Sequence, residues 1–181
     1  MNEFRCSLRN VLSVALLLLV SACDAVPDDN EPATANIAGY NYTEDGIAHF
    51  YVNGHGGAGI DAYGDGGFMC CVSYPRKWAP GLMVEVKWAT TSGLPWGDST
   101  PTWHRAVVPI ERYDETGTTM NVHFLPGGEV RILIWNGYPG TEGYNGPDYP
   151  VAPPGWPPKP PPEWIEAMKK EFGRARVIAD E

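Results

Sequence analysis

The stretch "LMVEVKWATT", residues 82–91, decides the fold class of this chain. Its apolar residues recur at every second position in the first part of the stretch, and Glu85 and Lys87 lie between them. Successive side chains of a β-strand point to opposite faces of the sheet, so this alternation predicts a strand with one buried face. That face is predicted to comprise Leu82, Val84, Val86 and Trp88.

Two pairs of similar runs predict β-hairpins on either side of this strand. "IAGYNYT" (37–43) and "IAHFYVN" (47–53) flank a turn in which Asp45 and Gly46 tolerate positive φ. "TMNVHFL" (119–125) and "EVRILIW" (129–135) flank "PGG" in the same way. In the second pair the predicted inward residues are Met120, Val122, Phe124, Val130, Ile132 and Ile134.

The remaining β-like segments complete the predicted architecture. "FMCCVSY" (68–74) is an apolar strand that ends at Pro75, and in "WHRAVVPIERY" (103–113) Pro109 marks a sheet edge or a bulge. The glycine-rich residues 54–67 are predicted to form a loop or a pair of tight turns. About seven short strands without a long helical pattern between them predict an all-β fold, either an antiparallel β-sandwich or a partly open barrel.

The N-terminal segment 1–22 has the plan of a bacterial export signal. A basic start precedes the apolar run "VLSVALLLLV" (11–20), which is shorter than the about 20 residues of a membrane-spanning helix. The following "VSAC" resembles the lipobox of lipoprotein signal peptides, with a plain secretory signal and an incidental cysteine as the alternative. The resemblance implies cleavage before Cys23 and acylation of Cys23, which would anchor the protein to the membrane.

The chain after the signal is predicted to have four parts. Residues 23–36 carry the lipidated cysteine and an acidic tether, and residues 37–146 form the β domain. Residues 147–162 contain nine prolines and are expected to form a stiff, extended strap. Residues 163–181 form a short helix and tail, with Trp164, Ile165, Met168 and Phe172 along one face. This helix either packs on the β domain, which is favoured, or binds a partner.

Asp24 resembles the inner-membrane retention signal of some lipoproteins. We therefore expect the protein on the periplasmic side of the cell membrane, with the inner membrane favoured over the outer. The net charge of −9 makes nucleic acid a poor partner.

The sequence indicates no catalytic or metal site. It has no nucleophile elbow, no phosphate-binding loop and no dinucleotide-binding glycine motif, so we expect no enzyme and no cofactor. The four histidines, His49, His55, His104 and His123, lack the short spacings of zinc ligands and are interpreted as ordinary polar residues. "DAYGDGG" (61–67) lacks the ligand pattern of a calcium-binding EF-hand.

Large aromatic residues in or next to loops are the candidates for a binding surface. Such side chains anchor protein interfaces or stack on sugars, although several could instead close the open ends of a sandwich. The candidate interface residues are Trp78, Trp96, Trp103, Tyr138 and Tyr144, and Trp135 has a similar setting.

Cys70 and Cys71 would be the only thiols left once Cys6 departs with the signal and Cys23 is acylated. Adjacent Cα atoms lie about 3.8 Å apart across a trans peptide, closer than the about 4.4–6.8 Å usual for a disulfide. A vicinal disulfide would then be strained and would break the strand. Two separate thiols, one of them packed in the core, are favoured over a vicinal disulfide or an intermolecular bond.

Several of these segments together resemble a bacterial family, the domain of unknown function 3304. The resemblance covers about Ile37 to Ile134 and rests on "GYNYT", "FYVNGHGG", "GGFMCCVSYPRKWAPGLMVEVKW" and "VHFLPGGEVRILI". Members are typically envelope lipoproteins, and some are encoded beside type VI secretion effectors that include phospholipases. The resemblance implies an immunity protein that binds and blocks such a toxin. A carbohydrate-binding or a purely structural envelope lipoprotein is the alternative.

Overall fold

A computed structural model of the chain describes residues 31–179, with side chains up to Phe172. The predicted signal, the acylation of Cys23 and most of the tether lie outside the described residues. The β domain begins at Ala33, so residues 33–36, which were expected to belong to the tether, are the start of the first strand.

Eight strands and one α-helix follow one another along the described residues. They are β1 (Ala33–Asn41), β2 (Asp45–Val52), β3 (His55–Gly57), β4 (Asp65–Tyr74), β5 (Met83–Ser92), β6 (Thr102–Pro109), β7 (Thr119–Phe124), β8 (Val130–Trp135) and α1 (Pro162–Ala179). A short 3-10 turn, Pro126–Gly128, joins β7 to β8.

The strands form two four-stranded sheets, which confirms the prediction of an all-β sandwich. The first sheet has the order β4-β1-β7-β8 and the second β3-β2-β5-β6. Apolar side chains from both sheets share one core, so the sheets pack face to face. The expectation of an antiparallel architecture fails for one pair, because β1 and β7 run parallel at the centre of the first sheet.

The predicted hairpin between β1 and β2 is wrong. These strands belong to different sheets, and the chain crosses between them at residues 42–44. The amide Nδ2 of buried Asn41 donates to the carbonyl oxygens of Asp45 (2.6 Å) and Asp61 (3.0 Å) and ties this crossing together. Turn residues show that the chain changes direction, but not which strand becomes its partner.

The hairpin between β7 and β8 is confirmed. Phe124 pairs with Val130 next to the turn, and the ladder continues to Thr119 opposite Trp135. Gly127 and Gly128 adopt φ values of 79° and 80°, a conformation that glycine takes without steric cost. All six residues of β7 are buried, because elements lie on both of its faces.

β5 has the buried and exposed faces that its alternation predicts. Val84, Val86 and Trp88 are buried in the core, whereas Lys87 is exposed. β6 lies at the edge of the second sheet and ends at Pro109. The sequence predicted a sheet edge or a bulge there, because proline cannot donate a ladder hydrogen bond.

The centre of the core is organised around Phe50, which is 1% exposed and meets Phe124 edge to face at 5.3 Å. Gly57 of β3 lies opposite Phe50 in the ladder. A Cβ atom added at Gly57 would overlap the Phe50 ring, whereas one added at Gly56 would stay 3.6 Å from Tyr51. β3 therefore needs glycine at only one of these two adjacent positions for packing.

Gly57→Ala is expected to reduce the free energy of unfolding by about 1–3 kcal/mol, the usual cost of overpacking a core. Gly56→Ala is the matched control, because its new methyl group would make only ordinary contacts. Urea unfolding of the two variants and the parent measures the difference. Equal midpoints for the two variants would contradict the packing assigned to Phe50.

β4 is an edge strand, and Cys70 and Cys71 form a disulfide within it in place of the two separate thiols that the sequence favoured. Met69 pairs with Ile37 and Val72 with Ala35, so both cysteines face the single residue Asn36. This is a β-bulge, in which an extra residue is accommodated while the ladder continues on both sides. A vicinal disulfide was expected to break the strand. The strand instead continues through the bulge.

One of the two cysteines was expected to pack in the core, but neither does. Cys70 is exposed and Cys71 is half-buried. Phe68 and Met69, which precede them in β4, are exposed as well. The apolar run in this part of β4 therefore lies on the surface at the edge of the first sheet.

The proline-rich strap and the helix contact the domain through tryptophans. Trp156 meets Tyr63 at a ring distance of 5.2 Å, and Trp164 in the first turn of α1 meets Trp96 at 5.5 Å. Further along the helix, Ile165 and Phe172 are exposed. The start of the helix thus packs on the domain, and much of its apolar face is open.

Within the described residues, no helix combines the length and the apolar character that crossing a membrane requires.

Candidate functional site

The outer surface of the second sheet carries a group of exposed large side chains. We call this surface the aromatic face and define it by His49, Tyr51, Met83, Lys87, Trp103 and Val107. These residues belong to β2, β5 and β6, at positions whose strand neighbours point into the core. Period-two geometry thus places them together, although they are far apart in sequence.

Trp103 makes the ring contacts of the aromatic face. It is 48% exposed, and its ring is 6.4 Å from that of Tyr51 and 6.4 Å from that of His49. Lys87 places its ammonium nitrogen 4.6 Å from the centre of the Trp103 ring, within the range of a cation–π interaction. These contacts hold the indole in place while leaving half of it open to solvent.

Charged groups border the aromatic centre. Arg105 forms an ion pair with Glu85 across neighbouring strands, with Nε donating to Oε2 at 2.8 Å. Tryptophan, tyrosine and arginine are enriched at the energetically important positions of protein interfaces. The aromatic face therefore has the composition of a protein-binding surface.

The other four candidate interface residues do not join Trp103. Trp78 is half-buried against the core and donates through Nε1 to the carbonyl of Ile110 at 3.0 Å. Trp96 packs on the helix through Trp164. These two side chains support the fold at the places where loops and the helix meet the sandwich.

Tyr138 and Tyr144 lie on the side of the first sheet. Tyr138 is 51% exposed and, with Phe68 and Tyr149, borders a cavity of about 200 Å³ on the outer face of that sheet. Tyr144 is half-buried and bonds to His123. The candidate residues are thus divided between the two sides of the sandwich, with Trp103 on one and Tyr138 exposed on the other.

His123 is the centre of a buried polar group on the first sheet. We call His123, Tyr40, Tyr42 and Tyr144 the histidine cluster. His123 is 0% exposed, and its ring stacks on Tyr40 at 5.0 Å. Its Nδ1 lies 2.9 Å from the Tyr42 hydroxyl and its Nε2 lies 2.5 Å from the Tyr144 hydroxyl.

The hydrogen bonds of the histidine cluster determine its tautomer. The Tyr42 hydroxyl donates its one proton to the carbonyl of Asp148 at 2.8 Å, so it accepts from the Nδ1–H of His123. Nε2 of His123 then carries no proton and accepts from the Tyr144 hydroxyl. The cluster holds residues 136–150 against the first sheet, since both Tyr144 and Asp148 lie in that segment.

Burial decides the charge state of this cluster. Burial, with a smaller contribution from the nearby Arg131 guanidinium, lowers the pKa of His123 to about 3. Burial likewise raises the pKa of Tyr42 and of Tyr144. Arg131 itself is paired with Glu111 through two hydrogen bonds of 2.6 and 3.0 Å. The imidazole is therefore neutral near pH 7, and its role is to bond segments of the chain together.

The four histidines have different surroundings. His49 is exposed on the aromatic face, His55 is exposed on β3, and His104 is half-buried beside Trp88. His123, interpreted from the sequence as an ordinary polar residue, is fully enclosed. Across residues 31–179, no three His, Cys, Asp or Glu side chains are grouped so that they could hold a metal ion.

Sequence reasoning missed two residues that the structure makes prominent. Tyr51 lies between Phe50 and Val52, both buried, so period-two alternation would have placed it on the outer face. His123 had no comparable signal, because its burial depends on residues 136–150 folding over the first sheet.

Comparisons with known proteins give one family. The model of a family described as protein of unknown function (DUF3304) matches residues 40–132. No curated protein and no solved structure matches the chain. The matched region runs from the end of β1 into β8 and contains the central strand of the aromatic face as well as the disulfide. Since it spans about half of the sequence, this chain belongs to that family of proteins of unknown function.

Proposed function

We propose that this protein is a membrane-anchored immunity lipoprotein of the periplasm. It binds and neutralises a toxin that a neighbouring cell delivers by type VI secretion, with a phospholipase as the expected class of toxin. It acts by stoichiometric protein binding and not as an enzyme. The lipid is carried on Cys23, and the inner membrane is the favoured location.

The aromatic face is the observation that carries this proposal. Trp103 and Tyr51 are exposed there, Lys87 adds positive charge beside them, and Arg105 forms an ion pair with Glu85. Among residues 31–172, no ring or ion-pair contact joins these side chains to the strap or to α1. Exposed apolar groups gathered on one face, bordered by charge, are typical of sites that bind other proteins.

The sequence before the domain supports the location. The lipobox-like segment ending at Cys23 is separated from β1 at Ala33 by nine residues, four of which are acidic. A protein held in this way is confined to the membrane surface, where a lipase acts, and its effective concentration there is high. This arrangement favours an inhibitor over a freely diffusing scavenger.

A competition experiment tests the proposal. The gene is deleted in its own bacterium, and the deletion strain is grown in contact with the parent strain. We expect survival of the deletion strain to fall, and to recover when the parent's type VI apparatus is inactivated or when the full chain is restored. A chain with Cys23→Ala, expressed at the same level, should restore less protection because it is not held at the membrane.

Unchanged survival of the deletion strain in contact with the parent would overturn the immunity function. If the same strain instead shows a weakened envelope when grown alone, the purely structural lipoprotein becomes the better explanation. A toxin-like reading frame beside the gene identifies the protein to be purified for direct binding measurements.

Sugar binding is a second candidate, favoured by the geometry of the rings. Trp103 lies at interplanar angles of 12° to His49 and 23° to Tyr51, so the three rings are nearly parallel. The exposed part of such an aromatic ring is suited to stacking on a sugar ring. Glycan-array binding that is lost in Trp103→Ala would support this candidate, and a complete absence of glycan binding would remove it.

A further inference from the structure

A cavity of about 420 Å³ lies at one end of the sandwich. We call it the end cavity. Its walls come from both sheets: from the crossing between β1 and β2, from β5 and β6, and from the turn between β7 and β8. This volume falls within the range of about 300–1,000 Å³ that is usual for small-molecule sites.

The interior of the end cavity is aromatic. Trp88 and Phe124 are buried core residues that contribute to its lining, and their ring centres are 5.7 Å apart. Tyr42 and Tyr63 also line it. His104 stacks on Trp88 at 5.2 Å, and its Nε2 lies 2.9 Å from the Thr90 hydroxyl, so the indole is held between well-ordered neighbours. Aromatic faces attract cations through their negative π-surface.

The rim of the end cavity is acidic. Glu44, Asp45 and Glu129 line it and are exposed, and its lining contains neither lysine nor arginine. Glu44 lies in the crossing between β1 and β2, Asp45 begins β2, and Glu129 lies just before β8, so acidic lining residues come from both sheets. The cavity thus combines negative charge at its rim with aromatic and apolar walls further inside.

We propose that the end cavity binds an organic cation, a guanidinium or ammonium group carried on a short apolar stem. The stem lies against Trp88 and Phe124, and the cationic group is held by the carboxylates of the rim. An arginine or lysine side chain of a protein and a free alkyl cation both have this chemistry. The inference rests on the cavity alone and does not depend on the immunity function.

The test uses N-butylguanidinium and its neutral isostere N-butylurea as probes of the full chain in detergent. Amide and indole signals of Trp88 and ring signals of His104 are followed by NMR during titration. We expect N-butylguanidinium to shift these signals and to bind at least about tenfold more tightly than N-butylurea, with affinity falling as salt is added.

Variants then locate the charge that matters. Glu44→Gln with Glu129→Gln should weaken N-butylguanidinium binding about fivefold to tenfold, as expected for two partly exposed charge pairs. The matched control is Glu115→Gln with Glu142→Gln, which makes the same change of net charge at exposed positions outside the cavity lining. The control should bind like the parent.

A third comparison separates the two sources of the cation. A capped Gly-Arg-Gly peptide that binds more tightly than N-butylguanidinium would assign the cavity to a protein side chain, and weaker peptide binding would assign it to a free cation. The inference is overturned if N-butylurea binds as tightly as N-butylguanidinium. It is also overturned if neither shifts Trp88 and His104, or if the control pair of substitutions weakens binding as much as the rim pair.

Discussion

His123→Ala is expected to lower the free energy of unfolding by about 3–5 kcal/mol, the largest stability effect that we predict. The substitution removes a ring that is 0% exposed and leaves the hydroxyl of half-buried Tyr144 without its acceptor. It also releases one of the bonds that hold residues 136–150 on the first sheet. Urea unfolding of the purified chain, followed by tryptophan fluorescence, measures the change.

His55→Ala is the matched control, since His55 is exposed on β3. We expect this change to alter the free energy of unfolding by about 0.5 kcal/mol or less. Tyr144→Phe should fall between the two variants, at about 1–3 kcal/mol, because it removes only the hydroxyl that donates to His123 Nε2. Similar losses in His123→Ala and His55→Ala would contradict the enclosed histidine cluster.

A second test is how the difference in free energy of unfolding between the parent and His123→Ala changes with pH. The pKa of His123 is about 3 in the folded protein and about 6.5 in the unfolded chain, so the unfolded state binds the proton first as pH falls. The stabilisation from neutral His123 is complete above pH 6.5 and is lost progressively down to pH 3. The titratable and charged side chains around His123 are those of Tyr40, Tyr42, Tyr144 and Arg131.

The gap between the parent and His123→Ala should therefore shrink by about 1.4 kcal/mol per pH unit below pH 6.5. Between pH 6.5 and about pH 5 this amounts to about 2 kcal/mol. Carboxylates that titrate in the same range are common to both proteins, so they cancel in the difference. A gap that stays constant with pH would show that His123 is not held neutral by burial.

Trp103→Ala is expected to weaken binding of the cognate toxin about 30-fold or more, a loss of about 2 kcal/mol that is typical of a central interface tryptophan. Trp103 is 48% exposed and contacts His49, Tyr51 and Lys87 on the aromatic face, so its removal affects the surface more than the core. Protection in the contact-dependent competition assay and titration with the purified toxin both measure the effect. The unfolding midpoint should change little.

Tyr138→Ala provides the matched control for Trp103→Ala. Tyr138 is 51% exposed, similar to Trp103, but it lies on the side of the first sheet. We expect Tyr138→Ala to protect like the parent. Loss of protection in Tyr138→Ala with full protection in Trp103→Ala would place the toxin-binding surface on the first sheet instead.

The class of the fold could be predicted from the sequence because strand periodicity is a local property. The alternation around Val84 and Val86 identified the buried face of β5, and "PGG" identified the turn between β7 and β8. In both cases each residue's environment follows from its immediate neighbours, since successive side chains point to opposite faces.

Strand pairing could not be predicted in the same way. A hairpin turn was predicted at Asp45 and Gly46, but both residues begin β2. β1 pairs with β4 and β7, while β2 pairs with β3 and β5. Both strands present apolar side chains that either sheet could bury. The choice depends on the partners available across the whole domain, which no local pattern contains.

The sequence by itself determined the short, turn-separated strands, the proline-rich strap and the candidate export signal, because each depends on a few adjacent residues. Only the tertiary structure decided that Trp103 stands exposed beside Tyr51, that Trp78 and Trp96 support the fold, and that His123 is enclosed. The physical reason is that exposure, pKa and ring contacts arise from residues brought together across sheets. Those distances are set by strand pairing and packing, and not by spacing along the chain.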